Sequence, residues 1–405
     1  MNKSIYLLVA SILIDNFCNL RLFALQPDTA LGLSFAWAIF GLFYYTLNKP
    51  ADSLRIDTSS NRRYVWLIFL GVFFSMTSVY FYYDQSFVAT FISQRQLYLF
   101  LYFFVLLRMV PSVREVFVFV RWYSILSLGV WILSIINPYS FDRESEQIAY
   151  LLSGESGDIG FVSTTLAIVV LYYYFILGQA VAHFSVKGWC KVLFWLAFFI
   201  LVQNRSMLFL ALILTVYSIL RIRSRYRYAL IVVSAIACVT VIILTKDILL
   251  SLYEETVEQL SDLDYNRWNA LKFFFTERDN YPLYCMLFGN GTPAADSAYL
   301  YSLVQATEFS RAYISDIGLL GNYFYYGLLP LGVIYFIIFK ILQGGFAPYF
   351  LKLMAVHILL VPTIFSISFG TNTFFFCVVM YLYCYYRTPL SRKTSRSFAE
   401  SLRTC

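Results

Sequence analysis

Charge is what this chain has least of: 13% of its 405 residues are Asp, Glu, Lys or Arg, against 60% hydrophobic residues. Soluble domains carry about a quarter charged residues. The composition therefore excludes a water-soluble globule and makes the bilayer the solvent for most of the surface. Short alternating apolar runs are also missing; the apolar stretches have helical length, which argues against a transmembrane barrel. Histidine is nearly absent, and His183 and His357 lie far apart, which argues against a His-rich metal site. Of the seven cysteines only Cys285 falls in a long loop, so neither a disulfide framework nor a paired thiol–metal site is available there. The first apolar stretch, 5–25, exceeds a signal h-region and lacks a small-residue cleavage site, so it reads as a retained anchor helix. Internal repeats, low-complexity linkers and heptad runs are missing too.

What is present is a succession of apolar runs separated by basic or acidic connections. The expected fold is all-α, a polytopic membrane helix bundle of about twelve spans. They fall near 5–25, 30–47, 64–82, 96–110, 116–137, 160–181, 188–202, 206–220, 228–246, 316–339, 350–367 and 370–386. With both termini in the cytoplasm, Arg62, Arg63, Arg108, Arg114, Lys187, Lys191, Lys340 and Lys352 all lie in inner connections, and most acids lie outside. Every short inner loop then obeys the positive-inside rule. An odd number of spans would strand either Arg221, Arg223, Arg225 and Arg227 or the basic tail on the wrong side. The chain is thus one membrane domain, 1–386, with long periplasmic loops at 138–159 and 247–315, the second before span ten. A basic, Ser-rich cytoplasmic tail, 387–405, is expected to be disordered near anionic lipid.

The loop 247–315 is expected to carry two helices. In the first, Leu249, Leu250, Tyr253, Val257 and Leu260 recur at helical spacing opposite Glu254, Glu255, Glu258 and Asp262, the pattern of a helix lying on a membrane surface. The second follows Asp264 and carries Arg267, Trp268 and Lys272. Then come Pro282 and the turn Phe288-Gly289-Asn290-Gly291. A loop of this length with helices of its own points to function. Its arginines have two readings: ion pairs on a solvated face, or a site for a phosphorylated, membrane-embedded substrate, which the planar, permanently charged guanidinium suits. Arg205 presents the same choice. It stands in the tight turn between two apolar runs, where a charge is either functional or an interfacial anchor that snorkels to water.

An Asn-Arg-Ser turn opening an apolar helix, a large outer loop with Arg267-Trp268 and Gly289-Asn290-Gly291, and Asp316-Ile-Gly-Leu-Leu leading into the next helix follow one another in a distinctive order. This order resembles the bacterial O-antigen polymerase and O-antigen ligase superfamily, over roughly 195–345 by motif and elsewhere by hydropathy. Members act on undecaprenyl-diphosphate-linked glycans at the outer face of the inner membrane. The polymerases are associated with an Arg and a Gly separated by ten residues in each of two outer loops, matched here by Arg143 with Gly154 and Arg278 with Gly289. The ligases rely on a histidine in the large outer loop, which this loop lacks; His357 falls inside the eleventh span. The resemblance therefore implies polymerisation of lipid-linked repeat units, with the ligase as the alternative. It also implies a chain-length co-polymerase and a flippase as partners. A flippase or other secondary transporter is the alternative of a different class. It would be expected to show two related halves and several deep charges.

A lipid diphosphate leaves as a stable anion, so the implied reaction needs cationic charge and orientation more than a strong acid. Arg205, Arg278 and Arg267 are the candidates for that charge, with Arg143 and Arg311 and the Gly289 and Gly291 turn binding substrate. Asp264, Glu277, Asp279, Asp296, Glu308 and Asp316 are available as a base for the acceptor hydroxyl; Asp296 is the choice made, against the alternative that it caps the helix beginning at Ser297. Asp15 and Asn16 in the first span should face the bundle interior. No metal, cofactor or nucleic acid is expected; the partners are the lipid-linked glycan and membrane lipid.

Overall fold

A computed structural model describes residues 1–20, 25, 27–48, 59–136, 166–201, 205–221, 282–294, 297–310, 319–360 and 370–388, with isolated helical positions at 228, 232, 257 and 272. The described residues form an all-helical structure. Three of its helices contain stretches long and apolar enough to cross a membrane, Thr29–Leu47, Arg62–Tyr83 and Val113–Leu133. A fourth crossing arises if the bent pair Phe87–Ser93 and Arg95–Met109 counts as one span.

The first apolar stretch is not one helix. Helix α1 runs Lys3–Ile14, capped by Asn2, whose side chain accepts from the amides of Ser4 and Ile5. Twelve residues rise only about 18 Å, too short for a bilayer core of roughly 30 Å. The chain then enters a tight turn, Asn16–Asn19, in which Asn16, Phe17 and Cys18 all take positive φ. Local hydrogen bonding wins over helix propagation: the Asn16 amide both donates to the Leu25 carbonyl (2.9 Å) and accepts from its N–H (3.0 Å). Asp15, buried at the break, accepts from the Tyr123 hydroxyl at 2.9 Å.

Helices α2 (Pro27–Leu47) and α3 (Ser59–Tyr83) follow. Then α4 (Phe87–Ser93), a 3-10 turn (Arg95–Phe100) and α5 (Leu101–Met109) make up the bent pair, broken by 58° at Gln94. Helix α6 (Val113–Ile136) opens on a capping box: the Ser112 hydroxyl accepts from the Glu115 amide, and the Glu115 carboxylate accepts from the Ser112 amide at 2.7 Å. Next come α7 (Leu166–Ala182), α8 (Val186–Leu201) and α9 (Arg205–Arg221). Two short helices, α10 (Leu283–Phe288) and α11 (Ala298–Ser310), precede a second broken element, α12 (Leu319–Tyr326) and α13 (Leu328–Gln343), interrupted at Gly327. Helices α14 (Tyr349–Leu360) and α15 (Gly370–Arg387) complete the described structure. The expected ninth span, 228–246, lies outside the described residues apart from isolated positions.

Helices α7 and α15 form the centre. Every residue of α15 from Asn372 to Tyr385 is buried, as is every residue of α7 from Leu166 to Leu177. A helix that is apolar all round can sit in a protein core or face lipid, and these two take the core. Helix α15 packs on α5 and α1, and α7 packs on α6, α8 and α14. Helices α2 and α3 are peripheral and present Phe40, Phe43, Trp66, Phe73 and Phe81 outward. At the Tyr64 end of α3, basic groups gather: Lys340 donates to the Tyr64 hydroxyl (2.6 Å), while Lys3 donates to the Val110 carbonyl (3.0 Å) and faces the Glu115 carboxylate at 3.9 Å.

Candidate functional site

Part of the segment expected to be an external loop is built into the bundle. Pro282 starts α10, which runs alongside α3: the Tyr284 hydroxyl is hydrogen-bonded to Thr77, and the Phe288 ring lies 4.6 Å from that of Phe74. Phe74 is nine residues from the Tyr83 end of α3, about 13 Å at the rise of a helix. The chain therefore dips well into the helical layer before it returns.

The turn at the bottom of this dip depends on its glycines. Gly289 ends α10 with φ +84, and its N–H donates to the Cys285 carbonyl at 2.7 Å. Asn290 and Gly291 then donate their backbone N–H groups to Phe324 O (2.8 Å) and Tyr325 O (2.6 Å). These are carbonyls from the last turn of α12, which no intrahelical donor reaches. Gly327 (φ +74) ends α12 against the same turn, so two helix C-termini cross backbone to backbone. A Cβ on Gly289 would run into Tyr325 O and Gly327 N; one on Gly327 would run into Gly289 N and Leu287 O. Gly291 (φ +60) sits against Val79 and the Ser75 carbonyl. Glycine is required at all three places by conformation and space together.

Neutral polar side chains surround the turn. Asn290, fully buried, donates through Nδ2 to Phe324 O (3.0 Å) and accepts from the Tyr83 hydroxyl (2.8 Å). Gln85 donates to Thr292 O (3.2 Å) and accepts from Ala294 N (2.8 Å), holding the outgoing strand of the turn as a neighbouring β-strand would. The Ser93 hydroxyl donates to Thr292 O at 2.8 Å. Tyr299 of α11 stacks on Tyr83 with ring centroids 4.0 Å apart, and its hydroxyl donates to Gly291 O. At the break between α4 and the 3-10 turn, Gln94 donates to Ser75 Oγ at 2.9 Å, while its Oε1 meets no partner. Among the described residues, neither side-chain polar atom of Asn322, on α12, finds a partner, and nor does Gln96 Oε1. Gln94 is 1% exposed and Asn322 2%. Non-helical backbone and unsatisfied amides at this depth are tolerated where they are enclosed in protein or face a hydrated or liganded space.

Of the residues singled out from the sequence, Gly289 and Gly291 lie at the centre of this cluster. Their N–H groups are committed to Cys285 and Tyr325, which makes their task the holding of the turn. Arg205 is the first residue of α9, described in its backbone. Arg143, Arg267, Arg278, Arg311 and Asp296 lie outside the described residues, as do Gly154, Asp264, Glu277, Asp279 and Asp316. Glu308 falls within α11. His357 is buried in α14, its Nδ1 2.8 Å from the Tyr174 hydroxyl, in an apolar layer away from the turn. Sequence reading passed over Gln85, Gln94 and Asn322. The signal was present: Gln94-Arg95-Gln96 interrupts an otherwise apolar run, and Asn322 stands alone in another. Among the described residues no group of three or more His, Cys, Asp or Glu side chains is placed to hold a metal ion. Set against known proteins, the chain matches no family model, no curated protein and no solved structure.

Proposed function

We propose that this protein polymerises undecaprenyl-diphosphate-linked oligosaccharide repeat units at the periplasmic face of a bacterial inner membrane. It would do so as a metal-independent glycosyltransferase with about twelve spans and both termini in the cytoplasm. The observation that carries the reading is the Gly289-Asn290-Gly291 turn. It belongs to the motif order that resembles the O-antigen polymerases, and it is fastened into the helical layer by α3, α12 and Gln85. The loop that would bring Arg267, Arg278 and Arg311 to a lipid-linked substrate is thereby tied to the membrane domain close to its end. The basic cluster at the Tyr64 end of α3 supports placing that end in the cytoplasm and the turn on the opposite side.

In the reaction, an acceptor sugar hydroxyl attacks the anomeric carbon of the donor. The bond from that carbon to the phosphate oxygen breaks, and the lipid diphosphate leaves with the electron pair. The hydroxyl proton passes to a carboxylate, Asp296 in this proposal, or to water. Arg205, Arg278 and Arg267 would hold the diphosphate, whose charge rises as it leaves, and Arg143 and Arg311 would orient the substrate.

Deleting the gene in its host and separating the lipopolysaccharide on a gel tests the reading. Polymerase activity predicts collapse of the ladder to core plus a single repeat unit, and Arg205→Ala should do the same with normal protein levels. Retained long chains in that variant would remove Arg205 from the site, and an unchanged ladder on deletion would end the proposal. Two discontinuous helical elements packed on one turn also favour a second reading, a flippase or other transporter, since such proteins build their sites from broken helices. Loss of every unit, the single one included, would point there or to a ligase.

A further inference from the structure

We propose that Gln94 and Asn322 line a subsite for the hydroxyl groups of a sugar, beside the re-entrant Gly289–Gly291 turn. The two amides belong to the same layer. Gln94 is bonded to Ser75, against whose carbonyl Gly291 rests, and Gly291 in turn donates to Tyr325, one helical turn beyond Asn322. Each is almost wholly buried, and between them three polar atoms lack partners among the described residues: Gln94 Oε1 and both atoms of the Asn322 amide. A buried polar atom without a partner is costly and is retained where something outside the chain satisfies it.

The chemistry of the vacant positions selects the guest. Gln94 offers an acceptor and Asn322 both an acceptor and a donor, so the guest must donate and accept at neighbouring points. A hydroxyl does both. The other polar groups around the turn are amides, hydroxyls and main-chain carbonyls, namely Ser75, Gln85, Thr90, Asn290 and Thr292. Of the described charged residues close to it in sequence, Asp84 is exposed and Arg95, next to Gln94, is half-buried. These neutral donors and acceptors are the kind of group that a polyol pairs with. An aromatic pair adjoins the turn, Tyr299 stacked on Tyr83. That the hydroxyls belong to the glycan of a lipid-linked unit rests on the function proposed above.

The test uses the full chain in nanodiscs. The probe is the oligosaccharide released by mild acid from the host's own lipid-linked intermediates, observed by saturation-transfer NMR. The wild-type protein should transfer saturation to the sugar protons. Gln94→Leu and Asn322→Leu should each weaken binding at least tenfold. Asn322→Leu should leave the thermal midpoint unchanged or raised, because an apolar group of similar size replaces an amide without a partner among the described residues, while Gln94→Leu also gives up the bond to Ser75 and should lower the midpoint slightly. If a leucine variant fails to accumulate, Gln94→Met or Asn322→Ala carries the same test. No transfer with wild type, equal transfer with the variants, or weakened binding with a lowered midpoint in the Asn322 variant would each overturn the subsite; the first would leave only ordered water on the amides. A host ladder that collapses on gene deletion yet is untouched by either leucine variant also overturns the subsite, and leaves the polymerase reading intact. Amide-dependent sugar binding beside a ladder indifferent to deletion does the reverse.

Discussion

Helices α7 and α15 bury nearly their whole circumference, mostly against apolar and aromatic side chains: Phe374 meets Tyr102 edge-on at 5.0 Å and Phe119 at 6.1 Å. Hydrogen bonds are scattered among these contacts, such as Tyr174 to His357 and Tyr381 to the Pro111 carbonyl. The Tyr83 end of α3 is organised differently. There, position is set by which carbonyl each N–H or amide reaches, as with Asn290 on Phe324 and Gln85 on Thr292. Neither region draws on a strong driving force for helix association, since lipid tails are as apolar as the side chains they would contact. The centre holds by fit of shape, the re-entrant region by direction of hydrogen bonds. They should therefore fail by different routes, one by cavity and the other by unpaired groups.

Phe374→Ala should have the largest effect. Truncating a fully buried aromatic in the close-packed centre leaves a void that its neighbours fill only in part, costing about 3–5 kcal/mol. Denaturant titration of purified protein in detergent should show that loss, with protein levels in the host falling in step. A cost under about 1 kcal/mol would mean the centre relaxes freely and is not the rigid partner in this contrast.

Gly327→Ala comes next. The left-handed conformation costs roughly 1–3 kcal/mol for a residue with a side chain, and the new Cβ would also press on the Gly289 backbone. The same titration should register about 2–3 kcal/mol, while Gly332→Ala, whose Cβ would have open space, should change little. Equal effects at the two glycines would show that the crossing at Gly289 and Gly327 bears no strain.

Which parts of this contrast were readable in the sequence follows from its physics. Helices α7 and α15 announce themselves as apolar runs, so their existence could be read directly, but not their burial, because the lipid-facing α2 and α3 are as apolar. Helix α6 declared its start through Ser112 and Glu115. The ends of broken helices are harder, because the apolar run continues past them. Within 5–25 the polar residues Asp15 and Asn16 stand out, but that the helix ends at Ile14 shows only once Asn16 is seen paired to Leu25, nine residues on. The Gly289-Asn290-Gly291 turn could be read as a turn but not as a buried one. Its acceptors are Phe324 and Tyr325, more than thirty residues away, and composition cannot report so distant a pairing. The candidate arginines could be named from their surroundings in sequence; their side-chain geometry belongs to residues outside those described.

Asn290→Ala should cost about 1–3 kcal/mol, since Phe324 O would lose one of its two donors and the Tyr83 hydroxyl would lose its acceptor within the layer. The subtlest test separates that hydroxyl from its ring. Tyr83→Phe keeps the aromatic face stacked on Tyr299 and removes the hydroxyl that donates to Asn290 Oδ1, so about 1 kcal/mol should be lost. In the double variant with Asn290→Ala the two losses should fall short of additivity by roughly 0.5–1 kcal/mol, as for residues in one hydrogen-bond network. Strict additivity would mean that Tyr83 holds the turn through its stacked ring alone. The Tyr83 end of α3 would then be a second region held by fit of shape, and the contrast with the centre would narrow to Gln85, Asn290 and the glycine crossing.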